Sequence, residues 1–567
     1  MQPGEFYGLW VIAPPMVAIF LAILTRQVIV AMSFGVLTAA AMTCVMQGVY
    51  NPLRFVSYAM ENYVLGVLGP MNEDGRSVDL GHITIIIYTL FIGAMIGVLQ
   101  ANGGTRSVVA RVTRRVHTRR AGQLSAYLAG LLVFFDDYAN AMIVGPGLRP
   151  IFDRLRISRE KLAYIVNWTG APDSSIFLGT WLAVQISYID SGFRQLGANV
   201  PAFLAQTSAA STFWATVPYR TYTVLTLIMV LLVALTGRDF GGMRKAEARA
   251  AGAAESDSTR TANLAAQAPV NHWLLGALPA MVLVFMTVLL MATTGWSRAQ
   301  TDGIALSFSP RDLSWQNLVV LLGKADSHYA LLYASFTAAV VAIGMTVLSR
   351  TLTLRKTMDG AVSGMTAMFA ACIILVLAWG LSTASKALQL GPVVEEFLKT
   401  HHFSGEWLPL ASFLAACLIS FSTGSTWGTM AILCPPVVSI AAGLLSHLPN
   451  DQALVLFYSS VGATMAGAVF GNTCSPLADV TVLSAIFSEC ELYAHVRTTL
   501  PYALAVAMVS MLCTTGLENG LRHWCPQFHA EHWSVYYGLA AGTAVLLILL
   551  FAVGRGPSSP TTEHTAS

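Results

Sequence analysis

Apolar residues follow one another along nearly the whole chain in windows of roughly 20 residues, the length that a helix needs to cross about 30 Å of hydrocarbon. The pattern predicts an all-α polytopic membrane protein with about eleven transmembrane helices. The first run has no small-residue cleavage site and another follows at once, so we expect a retained helix and not a signal peptide. The windows lie near 8–25, 28–49, 82–101, 162–189, 213–236, 272–295, 328–349, 361–381, 456–488, 501–516 and 534–553.

Composition supports the same class. Hydrophobic residues make up 55% of the 567 residues, charged residues make up 11%, and the mean hydropathy is +0.62. A soluble globular domain carries about 25% charged residues. The composition therefore excludes an ordinary soluble protein. The net charge of +3 adds little, because the distribution of the charges is more informative than their sum.

Basic side chains are concentrated in three segments, 105–120, 149–161 and 238–260. By the positive-inside rule, all three are expected to face the cytoplasm. The first segment alternates Arg with Val, which is typical of an amphipathic helix on the inner leaflet. We therefore expect these basic residues to face the lipid bilayer and not nucleic acid.

Two of these basic segments flank the apolar stretch 121–148. Because both flanks are expected on one side, this stretch cannot simply cross the membrane, and we predict a re-entrant hairpin. Gly145 and Gly147, on either side of Pro146, are expected to break a helix inside it. Irregular backbone is tolerated at membrane depth where it is buried in protein or lines a cavity.

A second polar hairpin is predicted over 406–445, entering from the opposite side. An ungapped alignment of the two hairpins pairs Asp137 with Thr423 and Asn140 with Thr426. The halves then form an inverted repeat, a recurring plan of secondary transporters. The predicted organisation is a first repeat over 1–237, a cytoplasmic linker over 238–271 that is expected to be mobile over 243–269, a second repeat over 272–516, and an extra helix with a polar tail over 517–567.

A small, polar and proline-containing sequence follows each hairpin, NWTGAPDSS at 167–175 and GNTCSPLAD at 471–479. Pro172 and Pro476 remove a backbone donor and disfavour a helix in the residue before them. We expect broken helices near the midplane, over 162–189 and 456–488. Carbonyl oxygens near Gly170, Ala171, Cys474 and Ser475 would then be free to bind a cation such as Na⁺. The alternative is that these prolines only kink helices for packing.

Asp136 and Asp137 lie within the apolar run of the first hairpin, where a carboxylate is expensive and usually functional. The alternative is a shallower hairpin with both acids in water. Asp173 and Asp479 can likewise be helix caps near a break. Arg220, near the outer end of a span, is expected to extend to the headgroups.

Three runs resemble the NhaC-type Na⁺/H⁺ antiporter family of the ion-transporter superfamily. They are FFDDYANAMIVGPGLRPIFDRLRISREKLAYIV, FSTGSTWGTMAILCPPVV, and GAVFGNTCSPLADVTVLS followed by HVRTTLPYALAVA. The resemblance implies a bacterial inner-membrane secondary antiporter with an inverted-repeat fold and a homodimeric assembly. It also implies that the following residues lie at or near the ion and substrate site: Asp136, Asp137, Asn140, Ser422, Thr423, Gly424, Thr426, Ser475, Pro476 and Asp479.

This chain departs from the family pattern at two positions, where Asn167 and Asn472 replace the usual Asp. An amide can bind Na⁺ through its oxygen but cannot take up a proton. Asp173 is an acid that the usual pattern lacks, and it can compensate for the first loss. We include Asn167, Thr169, Asp173 and Asn472 among the candidate site residues. The counter-ion stays open, because the family also contains transporters of organic acids and amino acids.

The favoured hypothesis is a Na⁺/H⁺ antiporter. Two close carboxylates in a low dielectric cannot both stay charged cheaply, so Na⁺ and H⁺ would compete for them. The Na⁺ site is expected among Asp136, Asp137, Thr423 and Asp479, with no cofactor beside the transported ions.

One alternative is a Na⁺-coupled transporter of an organic acid or amino acid on the same fold. A remote alternative is an intramembrane hydrolase, since paired aspartates also serve aspartyl chemistry. Adjacent acids diverge on one helix and do not face each other, and the chain has no HExxH motif. Because of these two features, we do not expect an enzyme. A continuous channel is also disfavoured, because the broken-helix plan suits a gated single site better.

Overall fold

The computed structural model describes residues 6–25, 27–68, 81–104, 107, 116–133, 137–176, 181–197, 199–252, 273–301, 325–401, 404–512 and 534–556. These residues form helices and turns, with an isolated β-bridge between Asp239 and Arg555 and no β-strand within the described ranges. Ten helical segments among them are long and apolar enough to span a membrane. The predicted all-α, multi-pass membrane fold is confirmed. The number of crossings and the re-entrant course of the hairpins stay predictions.

The first half of the chain contains eleven α-helices in its described part, with a π-helical stretch (Ala59–Leu65) after the third. The helices are α1 (Ala13–Thr25), α2 (Val28–Met46), α3 (Pro52–Tyr58), α4 (Gly81–Ala101), α5 (Arg119–Leu132), α6 (Asp137–Arg154), α7 (Arg159–Ile176), α8 (Leu182–Leu196), α9 (Ala209–Thr216), α10 (Thr221–Thr236) and α11 (Gly241–Gly252).

The described part of the second half contains eleven more. They are α12 (Trp273–Thr301), α13 (Ser327–Leu348), α14 (Leu354–Ala367), α15 (Phe369–Ala387), α16 (Leu390–Thr400), α17 (Leu408–Thr423), α18 (Thr426–Leu444), α19 (Asn450–Cys474), α20 (Asp479–Phe487), α21 (Leu492–Met511) and α22 (Ser534–Ala552).

Local sequence signals explain several helix ends. The Thr118 hydroxyl accepts from the backbone N–H of Ala121 at the start of α5, and Ser425 caps α18 in the same way. Gly237 ends α10 and Gly424 ends α17, both in the left-handed conformation that glycine adopts without a Cβ penalty. These residues fix the starts of α5 and α18 and the ends of α10 and α17.

The first hairpin, α5 and α6, does not contain the predicted break. Helix α6 runs unbroken through Gly145, Pro146 and Gly147, so the prediction that these glycines break a helix was wrong. A proline within a helix removes one hydrogen bond, which the rest of an 18-residue helix can tolerate. Gly145 serves close packing instead, because a Cβ there would lie 3.0 Å from the backbone of Phe487 in α20.

The two predicted broken helices differ from each other. Helix α7 continues through Pro172 to Ile176, so Pro172 does not end it, and residues 177–180 before α8 lie outside the described ranges. In the second half, α19 ends at Cys474 and α20 begins at Asp479, with Pro476 in the turn between them. A proline tolerated in one helix and placed in a turn in the other shows that proline alone does not set the break.

The first part of the linker is helical. Residues Gly241–Gly252 form α11, which contacts α7 and α21 and buries Met243, Ala246 and Glu247. The expectation of a mobile linker was therefore wrong for these residues, because an amphipathic pattern lets the helix pack on the protein. Residues 253–272 lie outside the described ranges.

Each hairpin packs on helices of both halves. Helix α6 contacts α7 of its own half and α20 of the other half. Helix α18 contacts α19 of its own half and α8 of the other half. Each hairpin thus joins helices of the two halves.

Candidate functional site

The start of α6, in the first hairpin, lies against α7. Asp137 and Asn140 are in the first turn of α6, and both are buried, with 1% and 0% of their surface exposed. The Asn140 amide nitrogen donates to the Gly130 carbonyl oxygen at 2.9 Å, which ties α6 to the end of α5. A Cβ at Gly170 of α7 would lie 3.5 Å from the Asn140 side chain and from the Asp137 carbonyl oxygen. Asp137 is therefore held in the interior beside α7.

The turn of the second hairpin lies against the break between α19 and α20. Gly424 has φ +69°, and a Cβ there would lie 2.4 Å from the Leu477 carbonyl carbon. Ser475, at the break, donates to the Phe421 carbonyl oxygen at 2.7 Å. The buried Thr423 hydroxyl donates to the Ile419 carbonyl oxygen at 2.8 Å within its own helix. The end of α17 and the break are thus fixed to each other.

Helix α7 is joined to α19 and α20 by side-chain hydrogen bonds. The Asn167 amide nitrogen lies 3.2 Å from the Thr473 carbonyl oxygen and 3.1 Å from the Thr481 hydroxyl. The Trp168 indole N–H donates to the same Thr473 carbonyl at 3.1 Å. The Thr481 hydroxyl donates to the Asn472 carbonyl oxygen at 2.8 Å.

These bonds account for the carbonyls that the break releases. Pro476 has no N–H, so the Asn472 carbonyl loses its helical donor and takes the Thr481 hydroxyl instead. The Thr473 carbonyl is served by Asn167 and Trp168, and the Ser475 carbonyl by the Ala478 N–H. The expectation of a free carbonyl was therefore wrong for Ser475, and the nearby Asn472 and Thr473 carbonyls are satisfied as well. The buried side chains supply unpaired oxygens instead.

Among the candidate site residues, three buried amide oxygens lack a donor within the described part of the chain. They are Oδ1 of Asn140, Oδ1 of Asn167 and Oδ1 of Asn472; the hydroxyl oxygen of Thr426 also has no described partner. Leaving a buried polar atom unsatisfied costs about 1–3 kcal/mol, so such atoms call for an explanation. Neutral oxygens of this kind are ligands that hard cations accept, and they can equally receive a donor from a bound solute.

Residues 180–517 match the family model described as the Na⁺/H⁺ antiporter family. The chain belongs to the Na⁺/H⁺ antiporter family. The resemblance drawn from the three sequence runs is confirmed, and this antiporter-family chain is a secondary transporter.

Two relatives and one solved structure define the similarity further. The chain is 27% identical over 551 residues to an uncharacterized protein of Haemophilus influenzae, covering 97% of this chain and 96% of that protein. It is 33% identical over 106 residues to the malate-2H⁺/Na⁺-lactate antiporter of Bacillus subtilis, covering 19% of this chain and 21% of that protein. The Alcanivorax borkumensis YdaH transporter superposes with a TM-score of 0.54 at 15% identity, over 88% of this chain and 90% of that one. At this identity the likeness shows the fold alone.

The structure of this antiporter-family member places the remaining candidates as follows. Thr169 is buried and donates to the Ile165 carbonyl oxygen at 2.9 Å, and Ser422 is half-buried at the end of α17. Asp173 lies in the last turn of α7 and Asp479 is the first residue of α20; the placement of both side chains, like all of Asp136, lies outside the described structure. Within the described residues, no group of three or more His, Cys, Asp or Glu side chains is placed to hold a metal ion. The predicted Na⁺ ligand set stays a prediction.

Arg220 corrects one sequence expectation. It does not extend to the headgroups but is fully buried at the start of α10. Its guanidinium donates to Oε1 of Gln185 at 3.0 Å and to Oγ1 of Thr216 at 3.1 Å, and its central carbon lies 4.3 Å from the centre of the Phe213 ring. Because neighbouring helices supply hydrogen-bond acceptors and an aromatic ring face, the guanidinium charge is stabilised within the protein.

His495 is a residue of the site that the sequence reasoning missed. It is fully buried in α21, and its Nε2 lies 3.3 Å from the Asn167 amide nitrogen. Its Nδ1 lies 3.3 Å from the Thr499 hydroxyl. The available signal was its position as the first residue of HVRTTLPYALAVA, one of the runs that carries the family resemblance.

Proposed function

We propose that this protein exchanges Na⁺ for H⁺ across the bacterial inner membrane, and that the two ions compete for one buried site. The observation that carries the proposal is the placement of Asp137. The buried Asp137 lies in the first turn of α6, whose backbone packs on α7 at Gly170, and α7 is joined through Asn167 to the break between α19 and α20. A carboxylate there can hold either Na⁺ or a proton, but not both.

The neutral oxygens complete the proposed site. Asn140 lies one helical turn after Asp137, and Asn167 lies one helical turn before Gly170, where α7 meets α6. Hard cations favour several oxygen ligands, and amide oxygens supply them without adding charge to the interior. We assign the Na⁺ ligands to Asp137 with Asn140 and Asn167, together with contributions from the second hairpin near Thr423 and from Asp479.

Alternating access follows from the way the hairpins join the halves. Helix α6 contacts α7 and α20, and helix α18 contacts α19 and α8. A relative movement of the two halves would therefore change the surroundings of both α6 and α18. In our proposal, residues 1–237 and 272–516 are inverted repeats, both hairpins are re-entrant, and the ions are substrates of a transporter that is not an enzyme and needs no cofactor.

A second candidate is coupled exchange of a small organic acid. The observation that favours it is the amide at positions 167 and 472, since neither side chain can carry a proton. A relative over part of the chain is named a malate-2H⁺/Na⁺-lactate antiporter. In this alternative, the amide oxygens would receive hydroxyl donors of the organic solute.

Purified protein in liposomes that contain a pH-sensitive dye separates the candidates. Na⁺, Li⁺ or K⁺ is added alone, and then Na⁺ is added with malate, lactate or an amino acid. We expect Na⁺ alone to move protons, with no added organic solute. Proton or Na⁺ movement that requires an organic acid would replace the first candidate with the second. If no condition produces proton movement, although the protein is folded and inserted, both candidates are contradicted.

A further inference from the structure

The amide nitrogen of Asn167 is surrounded by hydrogen-bond acceptors. The nitrogen lies 3.2 Å from the Thr473 carbonyl oxygen, 3.1 Å from the Thr481 hydroxyl and 3.3 Å from Nε2 of His495, so its two hydrogens are shared among three acceptors. A carbonyl can only accept. The Thr481 hydroxyl has one hydrogen and uses it on the Asn472 carbonyl oxygen, so it too accepts from Asn167.

The tautomer of His495 follows from its other neighbour. The Thr499 hydroxyl donates its hydrogen to the His495 carbonyl oxygen at 2.7 Å. Its oxygen can therefore only accept from the ring, and Nδ1, 3.3 Å away, must carry the ring hydrogen. In a neutral imidazole, Nε2 then has a free lone pair and accepts from Asn167.

These contacts allow one orientation of the Asn167 amide. Turning it over would place Oδ1 against three acceptors and leave all three without the amide donor, so the nitrogen is held where it is. Oδ1 then points away from His495, and no donor among the described residues reaches it. The orientation of Oδ1 of Asn167 is thus fixed before any ligand binds.

We propose that His495 is a positioning residue that locks the Asn167 amide and so presents Oδ1 to the transported Na⁺. The assignment rests on the proposed function, because it takes Na⁺ as the ligand. It also explains why an amide stands at 167: a carboxylate would direct a second oxygen at the same three acceptors. On this geometry, Asn167 is required by its surroundings and is not a tolerated replacement for an acid.

The test compares His495→Leu, which removes the acceptor, with His495→Gln, whose amide oxygen can accept from Asn167. Removing an orienting partner of a cation ligand typically weakens binding about 10–100-fold. We expect His495→Leu to raise the half-saturating Na⁺ concentration at least about tenfold, with less than about twofold change in maximal rate. In His495→Gln, the half-saturating Na⁺ concentration should return most of the way to that of the unaltered protein. The effects of His495→Leu and Asn167→Leu should not add, since both act through one oxygen.

A second measurement separates this proposal from the proposed function. Na⁺ that binds the folded protein raises its thermal unfolding midpoint in detergent, whether or not exchange occurs. We expect this Na⁺-dependent rise in the unaltered protein and in His495→Gln, and its loss in His495→Leu and Asn167→Leu. A rise without Na⁺/H⁺ exchange overturns only the proposed function. An unchanged rise and an unchanged half-saturating Na⁺ concentration in His495→Leu overturn only the role of His495. No rise in the unaltered protein overturns both.

Discussion

Asn167 of α7 donates an N–H to the main-chain carbonyl oxygen of Thr473 in α19 at 3.2 Å, and so joins these two helices directly. Both residues are fully buried. The contact links a side chain of one half to a carbonyl that the other half releases where its helix ends. The start of α6 lies against α7, and Gly424 lies against this break, so both hairpins contact the region that this bond holds together.

Trp168→Phe tests the strength of this junction. The substitution removes the indole N–H that donates to the Thr473 carbonyl oxygen, together with part of a fully buried ring. The carbonyl retains Asn167, so the lost hydrogen bond should lower the free energy of unfolding by about 1 kcal/mol, and the cavity left by the smaller ring should lower it further. Thermal unfolding in detergent measures the loss. The matched control is Trp10→Phe, at a ring that is 76% exposed, which should change nothing.

Asp137→Asn tests the proposed ion site. The side chain keeps its size and loses its ability to exchange a proton for Na⁺, so we expect Na⁺/H⁺ exchange to be abolished while the protein still folds. Exchange is measured in proteoliposomes and folding by size-exclusion chromatography and thermal unfolding. Asp190→Asn, at a partly exposed acid paired with Arg194, is the control and should exchange normally. Retained pH-dependent Na⁺ exchange in Asp137→Asn would contradict the assignment.

Gly424→Ala tests the contact between the second hairpin and the break. A residue other than glycine at a positive φ costs about 1–2 kcal/mol, and here the added Cβ would also meet the Leu477 backbone at 2.4 Å. Gly48 is the control, because its φ is +79° and nothing lies within 4 Å of an added Cβ. We expect Gly424→Ala to lower the unfolding midpoint more than Gly48→Ala and to reduce exchange. Equal effects would mean that the contact with Leu477 has no role.

The buried ion pair between Lys161 and Asp239 gives a prediction about stability. The two side chains are 0% and 3% exposed, and the Tyr502 hydroxyl also donates to Asp239 at 3.0 Å. Removing one partner leaves an unpaired buried charge, so Lys161→Met should cost about 3–5 kcal/mol. Adding Asp239→Asn removes that charge and keeps an acceptor for Tyr502. The double variant should recover most of the loss in unfolding experiments; a double variant no more stable than Lys161→Met would show that the charge is not the cause.

Much of the architecture was predictable from local sequence. Windows of apolar residues identify membrane helices because lipid demands length and hydrophobicity, which are properties of a single segment. Asp137 was found in the same way, since an acid within an apolar run stands out without any knowledge of its neighbours. The turn at Pro476 and the family resemblance also follow from short, contiguous runs of residues.

The contacts within the site depended on tertiary structure. Proline has the same local effect at 172 and 476, yet only the second lies in a turn, because neighbouring helices decide whether a lost hydrogen bond can be tolerated. Arg220 is buried because α8 and α9 supply its acceptors, and His495 joins the site across 328 residues of sequence. Sequence determined which groups are costly in a membrane. Only the packing of distant helices decided which of them are satisfied and which are left facing the site, since hydrogen-bond partners are set by proximity in space and not along the chain.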